Sequence, residues 1–288
     1  MRPSSGSAQR PSLFEASDDS DLPPPRSPAA HFASPDTLSA YWRFYWAVAD
    51  VQLTRWLPTE PSRILDLSGP DSRGASRAAA AGHDVVQLVP ASEDNPVLHA
   101  ELRAPSPRGT PVGRLRPVVG DPTYLTGFAS DRFDAVLADN RALSRHLATE
   151  TLLSEIMRVL RPGGRALLCV DSVVLGMALL AEQTRWPELS YAAGADVLLV
   201  PWPDGSITRC FTVDQLSESL ADSGLQLEWV KPRTVLSAST VELMMNDKPQ
   251  ALRRLVDMEL KAAESDDAVG AHLLASARKP GTSSPASS

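Results

Sequence analysis

Only two cysteines, Cys169 and Cys210, occur in the 288 residues. That is too few for a disulfide framework or a cysteine-rich zinc site. Both sit in apolar, strand-like sequence and read as buried thiols, so the predicted compartment is a reducing cytoplasm. Lysine is nearly as scarce. Lys231, Lys248, Lys261 and Lys279 are the whole set, and the other fixed positive charge is arginine. No dense basic block occurs, and the formal net charge is −7. An acidic chain repels polyanions at long range, which argues against nucleic acid as partner. No apolar run approaches the roughly 18 residues that a membrane span needs. The first residues have no apolar stretch behind their basic positions, so they do not read as a secretory leader. His31, His83, His99 and His272 have no carboxylate or cysteine at metal-ligand spacing, and no metal site is expected.

What is present is an alternation of strands and helices. Short apolar strands are predicted near 63–67 (RILDL), 84–89 (DVVQLV), 116–119 (RPVV), 133–138 (FDAVLA) and 165–170 (RALLCV). Helices fall between most of them. One follows Gly74, is rich in alanine and ends at Gly82. Another, TETLLSEIMRVL, is amphipathic, with Thr149 as its expected cap and Pro162-Gly163-Gly164 as its stop. Such alternation predicts a parallel sheet covered on both faces. Before it lies HFASPDTLSAYWRFYWAVADVQLTRWLP, read as a helix from the Ser34-Pro35 start to about Leu57. Its aromatic residues are expected to pack on the core or, in part, to cover a ligand pocket. After the alternating region come a hairpin around Pro203-Asp204-Gly205, a helix stopped by Gly224, and the strand LQLEWV. A helical stretch with a break at Pro249 and a final strand, VGAHLLASARKP, complete the chain.

Strings in order along the chain carry a family resemblance. They are Ile64-Leu65-Asp66-Leu67-Ser68-Gly69, then Gly120-Asp121-Pro122, then Asp131-Arg132-Phe133-Asp134-Ala135-Val136, then Arg158-Val159-Leu160-Arg161-Pro162-Gly163-Gly164. With Ala271-His272-Leu273-Leu274-Ala275 near the end, they resemble the landmarks of class I S-adenosylmethionine-dependent methyltransferases. The resemblance implies an α/β Rossmann-like fold. Its sheet would be seven-stranded and mostly parallel, with an antiparallel last strand and helices on both faces. It also implies an organisation. Residues 1–33 are a Pro/Ser/Asp-rich tail expected to be disordered, and 281–288 a second such tail. Residues 34–280 form the methyltransferase-like domain, with an aromatic helix at 34–58, a cofactor half at 63–170 and a substrate half at 171–280.

The resemblance implies methyl transfer from S-adenosylmethionine to a small-molecule acceptor, with no nucleic acid or membrane partner. Cofactor contacts would fall on Asp66, Ser68, Gly69, Pro70, Asp121, Pro122 and Asp139. Asp66 would touch the cofactor or order the loop. Asp121 would accept from the adenine amino group or serve only as a turn residue. Asp139 would accept from the cofactor's amino group or cap the next helical turn. His146 is the candidate general base, and a structural role is its alternative. Tyr45, Trp46 and Trp202 are the expected substrate walls.

The chain departs from the family pattern in two places. The usual glycines two, four and six positions after the acid are Ser68, Pro70 and Ser72, with Gly69 and Gly74 off register. The acid that normally ends strand two is replaced by Val89, and Glu93 or Asp94 of the next loop is the nearest replacement. Losing that charge-assisted hydrogen bond would cost roughly 1.5–3 kcal/mol of cofactor affinity. These departures support an alternative: a catalytically impaired methyltransferase-like protein that binds or regulates.

Overall fold

The computed structural model describes residues 40–69, 72–90, 113–192, 194–202, 205–265 and 268–281. The expected starts at Ser34 and Pro35, together with Pro70, Glu93, Asp94, Pro203, Asp204 and the tails 1–33 and 282–288, lie outside them.

The first helix, α1 (Ala40–Trp56), buries Tyr41, Phe44, Tyr45, Val48, Ala49, Leu53 and Trp56, a three- and four-residue spacing that makes one wide apolar stripe. Its lower end lies on the sheet, where Leu53 and Trp56 join Ile64, Val85, Leu137 and Leu274. Its upper end meets two later helices through Tyr41, Phe44 and Val48. Burying each such side chain contributes about 1.5–3 kcal/mol, which fixes the helix against the core. Trp56 also donates from Nε1 to Ser276 Oγ at 2.8 Å, so its one polar atom is satisfied.

The sheet is built from β1 (Arg63–Asp66), β2 (Asp84–Val89), β3 (Arg114–Val119), β4 (Phe133–Ala138) and β5 (Leu160–Ser172). These five pair in parallel in the order β3-β2-β1-β4-β5. Between them run α2 (Gly74–Ala80), the single turn α3 (Ala142–Arg145) and α4 (Thr149–Val159). Gly82 ends α2 at φ +102, a conformation that only glycine takes without strain.

Two local expectations are corrected. Thr149 does not cap α4, because its hydroxyl donates back to the His146 carbonyl at 2.8 Å. Pro162-Gly163-Gly164 is not a turn between helix and strand. It lies inside a 13-residue β5, in an irregular stretch between the pairs Phe133↔Leu160 and Ala135↔Arg165. Backbone bonds from Gly163 to Lys279 and from Lys279 to Gly164 hold it there. The helix still stops at Val159, ahead of this string, and what is corrected is where β5 begins.

Beyond β5 the chain forms α5 (Val173–Glu182), α6 (Trp186–Ala192), the hairpin β6 (Leu198–Pro201) and β7 (Ile207–Phe211), then α7 (Val213–Asp222) and β8 (Gln226–Arg233). It closes with α8 (Ala238–Asp247), a single 3-10 turn at Pro249–Ala251, α9 (Leu252–Ala262) and β9 (His272–Arg278). The expected break at Pro249 is present. β9 runs antiparallel between β5 and β8, as the resemblance implies. The sheet has nine strands rather than seven, because the hairpin adds β7 to the far end of β5 and β6 beyond it. Among the described residues no helix is long and apolar enough to cross a membrane.

Candidate functional site

In an open α/β sheet, ligands bind beyond the carboxyl ends of the parallel strands. Here β1, β2, β3, β4, β5 and β8 all end on that edge, and β9 starts from it. The turn after β1 is built on Asp66. Its carboxylate is fully buried, and Oδ1 accepts from the Ser68 amide at 3.0 Å. Burial pushes the Asp66 carboxyl up to about 6, and hydrogen bonds from Ser68 only partly oppose this. Its Oδ2 is buried with no hydrogen-bond partner among the described residues. Ser68 Oγ accepts from the Asp139 amide at 2.9 Å, tying the turn after β1 to the turn after β4. Gly69 stands at φ +89, and a side chain there would meet only the Arg145 guanidinium, at 3.3 Å. Arg145 Nη2 lies across the turn, donating at 3.1 Å to both Ser68 O and Asn140 O.

At the end of β3, Asp121 is exposed and closes a tight turn, with Oδ1 accepting from the Thr123 amide at 2.8 Å. Hydrogen bonds from Thr123 hold its carboxyl below the usual range. Pro122, next to it, is half-buried. His146 is also half-buried, and burial, then the Arg145 charge, lower its pKa, so it is neutral at pH 7. The Asp121 charge opposes that lowering only in small part. At the end of β2, Val89 is fully buried and offers no acceptor.

Asp139 is also at this edge, but its carboxylate is engaged. Arg233, fully buried at the end of β8, donates from Nη1 to Oδ1 at 2.6 Å and from Nη2 to Oδ2 at 3.3 Å. The same guanidinium reaches Gln52 Oε1 at 2.7 Å and Tyr45 OH at 3.3 Å. Tyr45 is therefore a fully buried partner of an ion pair. Trp202 is likewise buried. Its Nε1 donates to Thr208 Oγ1 at 2.7 Å, and the Arg141 guanidinium stacks over its ring at 4.1 Å. Arg141 in turn makes a two-pronged pair with Asp171, at 2.6 and 2.9 Å. Trp46 remains half-buried, near Arg73 at the start of α2, with 5.9 Å between guanidinium and ring.

The two ion pairs belong to one buried network. Arg233, His272 and Asp171 are register neighbours across β8, β9 and β5. His272 Nδ1 is 2.9 Å from Thr234 Oγ1, and its Nε2 is 3.6 Å from Asp171 Oδ1. Burial pushes the imidazole down to about 3, so it is neutral. Asn140, Arg141 and Thr234 all adopt left-handed backbone, with φ of 52, 62 and 61. Such strain at non-glycine residues costs about 1–3 kcal/mol each and concentrates at functional sites. Sequence reasoning did not find Arg233, Arg141 or Asp171. Their one visible sign was charge inside or beside apolar strand sequence: Asp171 directly after RALLCV, and Arg233 at the end of LQLEWVKPR.

Strand order, the antiparallel β9 and the turn after β1 together define a class I methyltransferase fold. In sequence, residues 65–168, from β1 into β5, match the methyltransferase domain family. The chain matches no curated protein. Among solved structures it is similar to an S-adenosylmethionine-dependent methyltransferase of Methanosarcina mazei, at 16% identity and a TM-score of 0.52, over 80% of this chain and 97% of that one. An S-adenosylmethionine-dependent methyltransferase of Mesorhizobium loti gives 20% identity and a TM-score of 0.50, over 84% and 98%. The [4+2]-cyclase SpnF gives 19% identity and a TM-score of 0.50, over 82% and 81%. At these identities the likeness is one of fold. The family match supports S-adenosylmethionine as the cofactor.

The residues at the edge fit that cofactor on the β1 side. Gly69, in left-handed backbone, puts no side chain over the turn, the Arg145 guanidinium lies there instead, and Asp66 Oδ2 is buried without a hydrogen-bond partner among the described residues. On the β2 side, Val89 supplies nothing polar.

Proposed function

We propose that this protein transfers a methyl group from S-adenosylmethionine to a small-molecule acceptor in the cytoplasm. The observation that carries the reading is the coincidence of the family match with where the matched strands end. The matched strands β1, β3 and β4 end in Ser68-Gly69, Asp121 and Asp139 on one edge. When bound, the cofactor supplies an activated methyl group on a sulfonium, which is its own leaving group. The chain has to align the acceptor and exclude water. Ser68 and Gly69 would take the cofactor by close backbone approach, and Asp121 Oδ2 would accept a hydrogen bond from it. Pro70 and Pro122, each next in sequence to one of these residues, would add to the contacts, and Asp66 orders the turn. His146, neutral and half-buried, is the candidate proton acceptor. Trp46, half-buried near the turn, suits a planar, apolar acceptor.

A second reading is favoured by one specific observation. Asp139, Tyr45 and Trp202 are all engaged in buried ion pairs or hydrogen bonds of the chain itself. That filling, with Val89 at the end of β2 and the altered glycine register, suits a protein that has kept the scaffold and lost efficient transfer.

Calorimetric titration with S-adenosylmethionine and S-adenosylhomocysteine separates the two. The methyltransferase reading expects micromolar binding. Asp121→Ala, an exposed change, should then weaken it by about ten- to hundred-fold, the loss of one charge-assisted hydrogen bond. No binding at millimolar cofactor would establish the second reading.

A further inference from the structure

A cavity of about 190 Å3 lies away from the turn after β1, between the end of α1, the end of α9 and the middle of β8. Its floor is apolar. Trp56, Leu260 and Leu274 are buried there, and the half-buried Trp229 forms a wall. Aromatic and aliphatic lining with few polar groups is the usual composition of a small-molecule site.

The polar groups of this cavity are mostly donors. Gln52 lines it, and its Oε1 is held by the Arg233 guanidinium at 2.7 Å. Arginine has only donors, so the contact fixes which end of the amide is oxygen. The Gln52 NH2 group is left without a hydrogen bond to the described residues. Arg55 and Lys231, both exposed at the rim, have no ion pair among the described residues, and Lys231 Nζ lies 5.9 Å from the Trp229 ring centroid. Arg165 also lines the cavity, but its charge is offset by Glu228 at 2.8 Å. Glu264 is the one acid of the lining. Two unpaired cations and a fixed amide donor, set over an aromatic wall, match one carboxylate on an apolar body. The single acid beside them disfavours ligands with several negative charges.

We propose that this cavity binds a small organic monocarboxylate. The carboxylate accepts from Arg55, Lys231 and the Gln52 amide, and the apolar body lies on Trp229, Leu260 and Leu274. This site is separate from the turn after β1 and does not depend on methyl transfer.

The test is calorimetry of the full-length protein with phenylacetate, with its neutral amide phenylacetamide, and with inorganic phosphate. Phenylacetate should bind saturably in the millimolar range. The double variant Arg55→Met/Lys231→Met changes exposed positions and leaves the fold intact, as circular dichroism would check. It should weaken phenylacetate binding by about tenfold or more, the scale of a charge-assisted contact. Phenylacetamide and phosphate should each bind at least about tenfold more weakly than phenylacetate. Absence of saturable binding, equal binding by the double variant, or equal binding of the amide or of phosphate would overturn the proposal. The cofactor titration has its own readout, so either inference can fail alone.

Discussion

Asp66 shows how one residue couples the turn to pH. Its carboxyl is fully buried, and burial raises it from the ordinary 3.8 to about 6. Between those values the folded protein holds a proton that the unfolded chain has lost. Stability contributed by this group is therefore present at low pH and falls as pH rises through about 6. The displacement corresponds to roughly 3 kcal/mol at neutral pH. Asp66→Asn keeps an acceptor for the Ser68 amide and removes the charge. Its melting temperature should exceed that of the wild type at pH 7.5 and approach it near pH 4. Equal differences at both pH values would contradict the assignment. A buried carboxylate with an unpartnered oxygen is costly.

At the scale of elements, Arg233 joins three pieces of secondary structure. It sits at the end of β8, pairs with Asp139 after β4, and reaches Tyr45 and Gln52 on α1. Removing one member of a buried pair leaves the other charged and unsolvated. Arg233→Met should cost about 3–5 kcal/mol in urea denaturation, and the double variant Arg233→Met/Asp139→Leu distinctly less than the sum of its parts. Strict additivity would mean that the pair does not couple β8 to β4. Glu259 has a similar joining role. Fully buried on α9, it accepts from the Val235 and Leu236 amides at 2.8 and 2.9 Å and so holds the loop after Thr234.

Over the whole molecule, the sheet has a strong centre and a lightly attached arm. β9 pairs with β5 from Arg165 to Asp171, whereas β7 pairs with β5 only at Asp171 and Ser172. The hairpin β6–β7 packs mainly with α5 and its own small core of Leu179, Leu198, Val200 and Trp202. Hydrogen exchange followed by mass spectrometry should show the β6–β7 amides opening at lower free energy than those of β1, β4 and β5. Equal protection would mean that arm and centre unfold as one unit. The arm carries Trp202, and through Arg141 it touches the carboxyl edge.

The sequence by itself determined the parts governed by local pattern. Strands β1, β2 and β4, helix α2 with its glycine end, the break at Pro249 and the turn Ser68-Gly69 all follow from the period of apolar residues or from backbone preference. The order of the landmark strings then implied the sheet and its antiparallel last strand. Only the tertiary structure decided the rest. β5 runs through Pro162-Gly163-Gly164, where Lys279, just past β9, offers it hydrogen bonds, and no neighbour in sequence reports that. α5, α6 and the joining of β7 to β5 were equally invisible. Arg233 lies 94 positions from Asp139, so nothing in either segment shows that one neutralises the other. Tyr45 and Trp202 looked like pocket walls because aromatic side chains suit both a pocket and a core. Which one they line depends on charges that arrive from distant strands.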